Sequence, residues 1–325
     1  MNFLALVMIL TLNDRPLDQY APVLQTTLDR SIPIDPEKGY AIKKVKSDIY
    51  VLTDGIWQSA AVVTQSGVVL IDAPESYGQH IVRAVQEVTD QPIVILIYSH
   101  AHSDHIGGSQ HLSGIKNLEI VALEGVAAFL REQKDPRRLI PTKTFQAAYV
   151  LQIGGKRSHL TAPLSYHAHE GDLFISIPDD KFLMVIDVLA PGYVPFKNLD
   201  LSTNVHQYLQ VFDQILAYDF DVFVGGHLTS IGDRQDVLTT KAYVQDLYET
   251  VARVHANTNM MAVMAEAAKE VGWDNKYLLF KVFLDKVIED SAQEINARWV
   301  NRLAGVDVWS HSHAAKMLEY VRWDD

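Results

Sequence analysis

The chain has 325 residues, 48% hydrophobic and 21% charged, a globular profile that excludes a disordered or fibrous protein. Its formal net charge of −12 repels phosphate backbones and argues against a nucleic-acid partner. There is no cysteine, which excludes disulfides, thiolate metal ligands and cysteine nucleophiles together.

Residues 3–12 are almost wholly apolar. The run is too short to span a bilayer, which takes about 20 residues. It reads either as the core of an export signal or as an arm packed on the domain, although no Lys or Arg precedes it. Residues 1–39 are therefore set apart as an N-terminal segment, and localisation stays open between cytoplasm and export. No other segment is apolar enough to be an integral membrane span.

From 40 to 232 short apolar runs alternate with helical periods. Segments 48–53, 59–64 and 67–72 read as strands, and Ile81, Val82, Val85 and Val88 recur at helical spacing. The continuous run 93–98 predicts a strand buried on both faces, and 120–123 repeats the theme. Segment 131–138 is charge-rich and predicts a solvated connection. Strands at 173–177 and 182–186 are split by Pro178, Asp179 and Asp180, a hairpin signature, and 221–224 is the last strand. This order points to α/β layers. Beyond 232 the period is helical from 237 to 321, so 233–325 is read as a helical extension, with Met260, Met261 and Met264 as ordinary core filling.

The strongest chemical signal follows the strand at 93–98, where residues 99–108 read Ser-His-Ala-His-Ser-Asp-His-Ile-Gly-Gly. Four groups able to bind metal, His100, His102, Asp104 and His105, lie within six residues. His100 and His102 are two apart and share a side of an extended segment. Asp104 and His105 come after a bend and can face a second ion. Imidazole and carboxylate suit zinc, and iron or manganese with less preference. Surface histidines in a polar loop would not need to crowd directly behind a core strand.

This His-x-His-x-Asp-His pattern after an apolar strand resembles the signature of the metallo-β-lactamase superfamily. The resemblance covers about residues 45–232. It implies an αββα sandwich, here with a C-terminal helical extension, and two divalent metal ions, zinc first, at the sheet ends. It also implies that Asp72, closing the run at 67–72, orients a ligand, that Asp187 bridges the metals, and that His227 is the last ligand. The third motif leaves two readings open. In His167-Ala168-His169-Glu170-Gly171-Asp172, His169 is preferred as the ligand and His167 is its rival. One ion would then lie on His100, His102 and His169, and the other on Asp104, His105 and His227, with Asp187 between. The chemistry implied is hydrolysis by a hydroxide shared between two cations, with Asp104 and Asp187 as catalytic carboxylates.

The substrate is less legible. An Asp at 187 and the absence of cysteine set the chain apart from true β-lactamases of the superfamily, and His102 sets it apart from the flavin-linked branch. Lactonases of the family use a tyrosine just after the bridging aspartate; Tyr193 follows by six residues and is the candidate for that catalytic, substrate-contacting role. Pro191, Tyr193, Pro195 and Phe196 form either a stiff apolar rim or a patch packed on the extension. His311 and His313 are either helix-capping or surface groups, or swing over the site, with His313 touching substrate. The expected partner is a small molecule, namely an ester, a lactone or a related acyl compound, and the extension is expected to support a homo-oligomer. The alternatives are a phosphoesterase or sulfatase, persulfide oxidation at a single iron, or a non-catalytic metal-binding protein.

Overall fold

A computed structural model describes residues 15–323, so the apolar run 3–12 lies outside the described residues. The first sheet follows chain order: β1 (Ala41–Lys46), β2 (Ile49–Thr53), β3 (Gln58–Thr64), β4 (Gly67–Ile71), β5 (Ile93–Ile97), β6 (Glu119–Leu123) and β7 (Lys143–Phe145). β1 to β4 are antiparallel. β4 to β7 are parallel and need crossovers. These contain α1 (Ile81–Gln86), α2 (Ser103–Ile106) and α3 (Glu124–Gln133). β4 and β5 are β-branched, continuously apolar and buried, as a strand covered on both faces must be.

The second sheet is built from β8 (Ala148–Ile153), β9 (Lys156–Thr161), β10 (Phe174–Ile177), β11 (Phe182–Val185) and β12 (Val222–Val224), in the spatial order β12-β11-β10-β9-β8. Only the last pair, β11 and β12, is parallel, and α4 (Val205–Leu216) lies in its crossover. Period-two alternation divides two cores. On β11, Phe182 and Met184 point into the core between the sheets, while Leu183 and Val185 join a second core with Tyr208, Phe212 and the C-terminal helices.

Strands β1 and β9 lack the apolar run that marks the central strands. β1 carries Lys43, Lys44 and Lys46, with a register irregularity between Lys44 and Lys46, and β9 alternates Lys156, Ser158 and Leu160 with polar neighbours. Pairing with a neighbouring strand, more than their own composition, makes them strands.

The extension consists of α5 (Arg234–Asn257), α6 (Met260–Val271), α7 (Lys276–Trp299) and α8 (Val306–Trp323). A capping box between Asp233 and Asp236 starts α5. One expectation fails here. Met260 and Met261 are exposed, the latter by 57%, because α6 packs chiefly on α7 and buries only Ala268 fully; Met264 alone leans on the second core. The charged loop at 131–138 is also more than a solvated link, since Arg138 donates to the Ala101 carbonyl at 2.8 Å, between two motif histidines. The N-terminal arm crosses this body by Arg15 to Asp307, Arg30 to Asp236 and the Ile32 amide to the Thr229 carbonyl. Among the described residues no helix is long and apolar enough to cross a membrane.

Candidate metal centre

The parallel pairs β4–β5 and β11–β12 bring their carboxyl ends to a common edge, and the motif residues follow those ends. Asp72 directly follows β4 with φ 59°, and Asp187 follows β11 with φ 56°. Aspartate tolerates this left-handed backbone better than most side chains, so it can end a strand abruptly. Gly226 (φ 92°) leads to His227. A Cβ there would lie 2.8 Å from Ile186 and 3.2 Å from the His105 ring, so a side chain would crowd the passage. The loop after β5 is stapled to β4 by the Ser99 amide, which donates to Asp72 Oδ1 at 2.8 Å.

Around Asp187 the arrangement is divided. Its Oδ2 lies 3.3 Å from His100 Nε2 and 3.1 Å from His167 Nε2. Its Oδ1 lies 3.2 Å from His105 Nε2 and 2.9 Å from His227 Nε2. His102 Nδ1 is 2.9 Å from His167 Nε2, and His105 Nε2 is 3.1 Å from His227 Nε2. Asp104 Oδ2 is 3.5 Å from His105 Nε2 and 3.9 Å from His227 Nε2. Ligand atoms therefore gather as His100, His102, His167 and Asp187 on one side and Asp104, His105 and His227 on the other, each set within 4.8 Å.

The preference for His169 is corrected. Asp172 accepts the amides of His167 and Ala168, and the Gly171 amide returns to the Ala168 carbonyl at 3.2 Å. This tight turn leaves His169 exposed at its tip, while His167 is buried against His102 and Asp187. His313 is corrected as well: it is wholly buried, and both ring nitrogens are engaged, with Tyr243 Oη at 2.7 Å and the Phe196 carbonyl at 2.9 Å. A ring so enclosed is not free to touch substrate. Tyr193 is half-buried in a turn bridged to Ala304, and among the described residues its hydroxyl has no hydrogen-bond partner. Phe196 is 51% exposed and packs edge-on against Trp309.

Two contributors have no sequence signal. The Trp57 indole N–H donates to Asp104 Oδ2 at 3.2 Å, and its ring lies beside His227. The backbone carbonyl of Asp200 accepts from His167 Nδ1. Ser99 Oγ meets His100 Nδ1 at 2.9 Å. Asp172 was visible only as the second half of a Gly-Asp pair.

The donors fit metal. Two ligands about 2.1 Å from one tetrahedral zinc sit roughly 3.4 Å apart, close to the nitrogen–nitrogen and nitrogen–oxygen spacings here. His100 Nε2 and Asp187 Oδ1 are buried with no properly directed hydrogen-bond partner, although imidazole and carboxylate surround them. Buried polar atoms normally find partners. Burial would raise the Asp187 pKa, yet His105, His167 and His227 hold it well below the ordinary carboxylate range. Burial pushes Asp72 up to about 6, against the opposing charge of His105.

Comparison with known proteins gives the family and the fold. The family model of the metallo-beta-lactamase superfamily matches residues 56–227. The chain resembles a metallo-beta-lactamase from Pontibacter korlensis (TM-score 0.55, 19% identity, 62% of this chain and 97% of that one). It likewise resembles the metallo-beta-lactamase IND-7 (TM-score 0.53, 17% identity, 62% of this chain and 98% of that one). A curated relative is the 2,4-dinitroanisole O-demethylase subunit alpha of Nocardioides sp. (strain JS1661), 23% identical over 203 residues; the match spans 61% of each chain. With the family model matching more than half its length, the chain belongs to the metallo-beta-lactamase superfamily.

Proposed function

We propose that the protein is a dinuclear metal-dependent hydrolase acting on a small, partly apolar ester or lactone. The observation that carries the reading is the division of Asp187, whose two oxygens face two separate sets of imidazoles. His100, His102 and His167 would hold one divalent ion, Asp104, His105 and His227 the other, and Asp187 both. Bound there, such ions supply Lewis acidity and acidify water, a single zinc lowering its pKa to about 7. The protein's own part is orientation. Ser99 and the Asp200 carbonyl engage the outer nitrogens of His100 and His167. Trp57 restrains Asp104. Trp57, whose ring lies beside His227, and its exposed neighbour Ile56 supply apolar surface, which suits an uncharged substrate better than a phosphodiester.

The complete second set favours two ions over a single iron and so disfavours persulfide oxidation. A second substrate reading rests on the curated relative, whose name describes removal of a methyl group from an aryl ether oxygen. Hydrolysis of such an ether also breaks a carbon–oxygen bond, with water giving methanol and a stabilised phenolate, although no acyl carbon is attacked. The test is metal analysis of purified protein, followed by assay of the zinc-, manganese- and iron-loaded forms. The panel is phenyl esters, lactones, thioesters, dinitrophenyl methyl ether, phosphodiesters and sulfate esters. Two ions per chain and turnover of an ester or lactone are expected. One iron per chain, or activity confined to phosphate or sulfate esters, overturns the proposal; activity confined to the ether selects the second reading.

A further inference from the structure

Residues 198–201 follow a left-handed path, with φ of 55°, 60°, 53° and 54° at Asn198, Leu199, Asp200 and Leu201, none of them glycine. Each such residue sets its Cβ against the following carbonyl, so a run of four is sterically disfavoured. Strained backbone of this kind persists only where surrounding contacts over-determine it. Here the contacts are explicit. Asp200 Oδ1 accepts the Phe196 amide at 2.9 Å, and Ser202 Oγ donates to the Tyr166 carbonyl at 2.8 Å. From α8, Ser312 Oγ accepts the Asn198 amide at 3.2 Å, and His313 Nε2 lies 2.9 Å from the Phe196 carbonyl. A carbonyl only accepts, so His313 Nε2 carries the proton. In the neutral ring, Nδ1 must then accept from the Tyr243 hydroxyl. Burial pushes the His313 pKa down to about 4, consistent with that neutral form.

The inner side of the same turn faces the metal centre. The Asp200 carbonyl takes the Nδ1 proton of His167, which leaves Nε2, turned toward Asp187 and His102, as the nitrogen that would exchange its proton for a cation. We infer that Asp200 and His313 are positioning residues for His167: the last helix clamps a strained turn whose carbonyl sets the tautomer and aim of that ligand. The helical extension thereby becomes a working part of the centre, although none of its side chains belongs to either ligand set. This rests on the dinuclear reading above. Partners of this kind typically change metal affinity by about 10–100-fold.

The experiment uses the full chain. Stepwise zinc dissociation constants are measured by chelator competition, with far-UV circular dichroism to confirm folding. The tautomer of His167 is read in the zinc-loaded chain from its ring ¹⁵N shifts. The variants are Asp200→Ala, Asp200→Asn, Ser312→Ala and His313→Leu. Asn keeps an acceptor for the Phe196 amide and tolerates the left-handed backbone, so Asp200→Asn should retain wild-type affinity. Asp200→Ala and His313→Leu should weaken one zinc of the pair by about 10–100-fold, change the other far less, and scramble the His167 tautomer. Ser312→Ala, which removes only an acceptor, should move the same constant in the same direction by a smaller factor and decides the matter if His313→Leu does not fold. Wild-type chain that binds two zincs, with folded Asp200→Ala and Ser312→Ala indistinguishable from it, overturns the inference alone. So does an Asp200→Asn variant as impaired as Asp200→Ala, which would assign the effect to charge. Wild-type chain that takes up no zinc overturns the dinuclear reading itself.

Discussion

On one side of Asp187, His100 and His167 are buried and their outer nitrogens are engaged by Ser99 and the Asp200 carbonyl. On the other side, the side chains of His227 and Asp104 stay 29% and 41% exposed, and Asp104 is restrained by the indole of Trp57. The chemistry of the donors is alike, but the surroundings are not. The deep set is rigidified by the protein's own hydrogen bonds. The shallow set meets solvent through His227 and Asp104, its His105 being wholly buried, and on the proposed reading it meets substrate first. A shared carboxylate couples the two, which makes the contrast testable.

The largest effect belongs to the residue common to both sides. Asp187→Asn places a neutral amide among four imidazoles, and both sets should lose affinity together. Metal content should fall below one ion per chain by elemental analysis, with turnover lost and circular dichroism unchanged. His167→Ala should separate the halves, losing the deep ion while the shallow one remains. A chain that still carries two ions would show that His167 is no ligand. Trp57→Phe keeps the ring but removes the indole donor. It should weaken only the shallow ion, by roughly tenfold, the lower end for loss of an outer partner, as a metal titration would read. The smallest effect is that of His169→Ala, which should leave stoichiometry and affinity unchanged, since that ring is exposed on its turn. A lost ion there would reinstate the spacing argument over the geometry.

The strands that carry the centre were legible because β4, β5, β10 and β11 must bury both faces, and continuous apolar runs record that demand. The His100 to His105 cluster was legible for the same reason, as a polar burst behind a core strand. The third motif was not, because a tight turn at 168–171 reverses the chain and places His167, not the nearer His169, inside. Spacing along a chain does not report a reversal. His313 was noticed but assigned to the wrong place, since a histidine in a helix carries no mark of what it faces. Trp57 and Asp200 act through a ring edge and a backbone carbonyl, and these are tertiary facts without a residue-type signature.

The lysine-bearing strand at the margin of the larger sheet has a consequence beyond the site. Among the described residues β1 is an outer strand, and its free edge is a row of amide and carbonyl groups that another polypeptide could zip onto. Its exposed Lys43 and Lys44, and the register break before Lys46, put ammonium groups and a kink along that seam. A second copy approaching edge to edge would meet like charge and mismatched pairing, a built-in guard against fibrous growth.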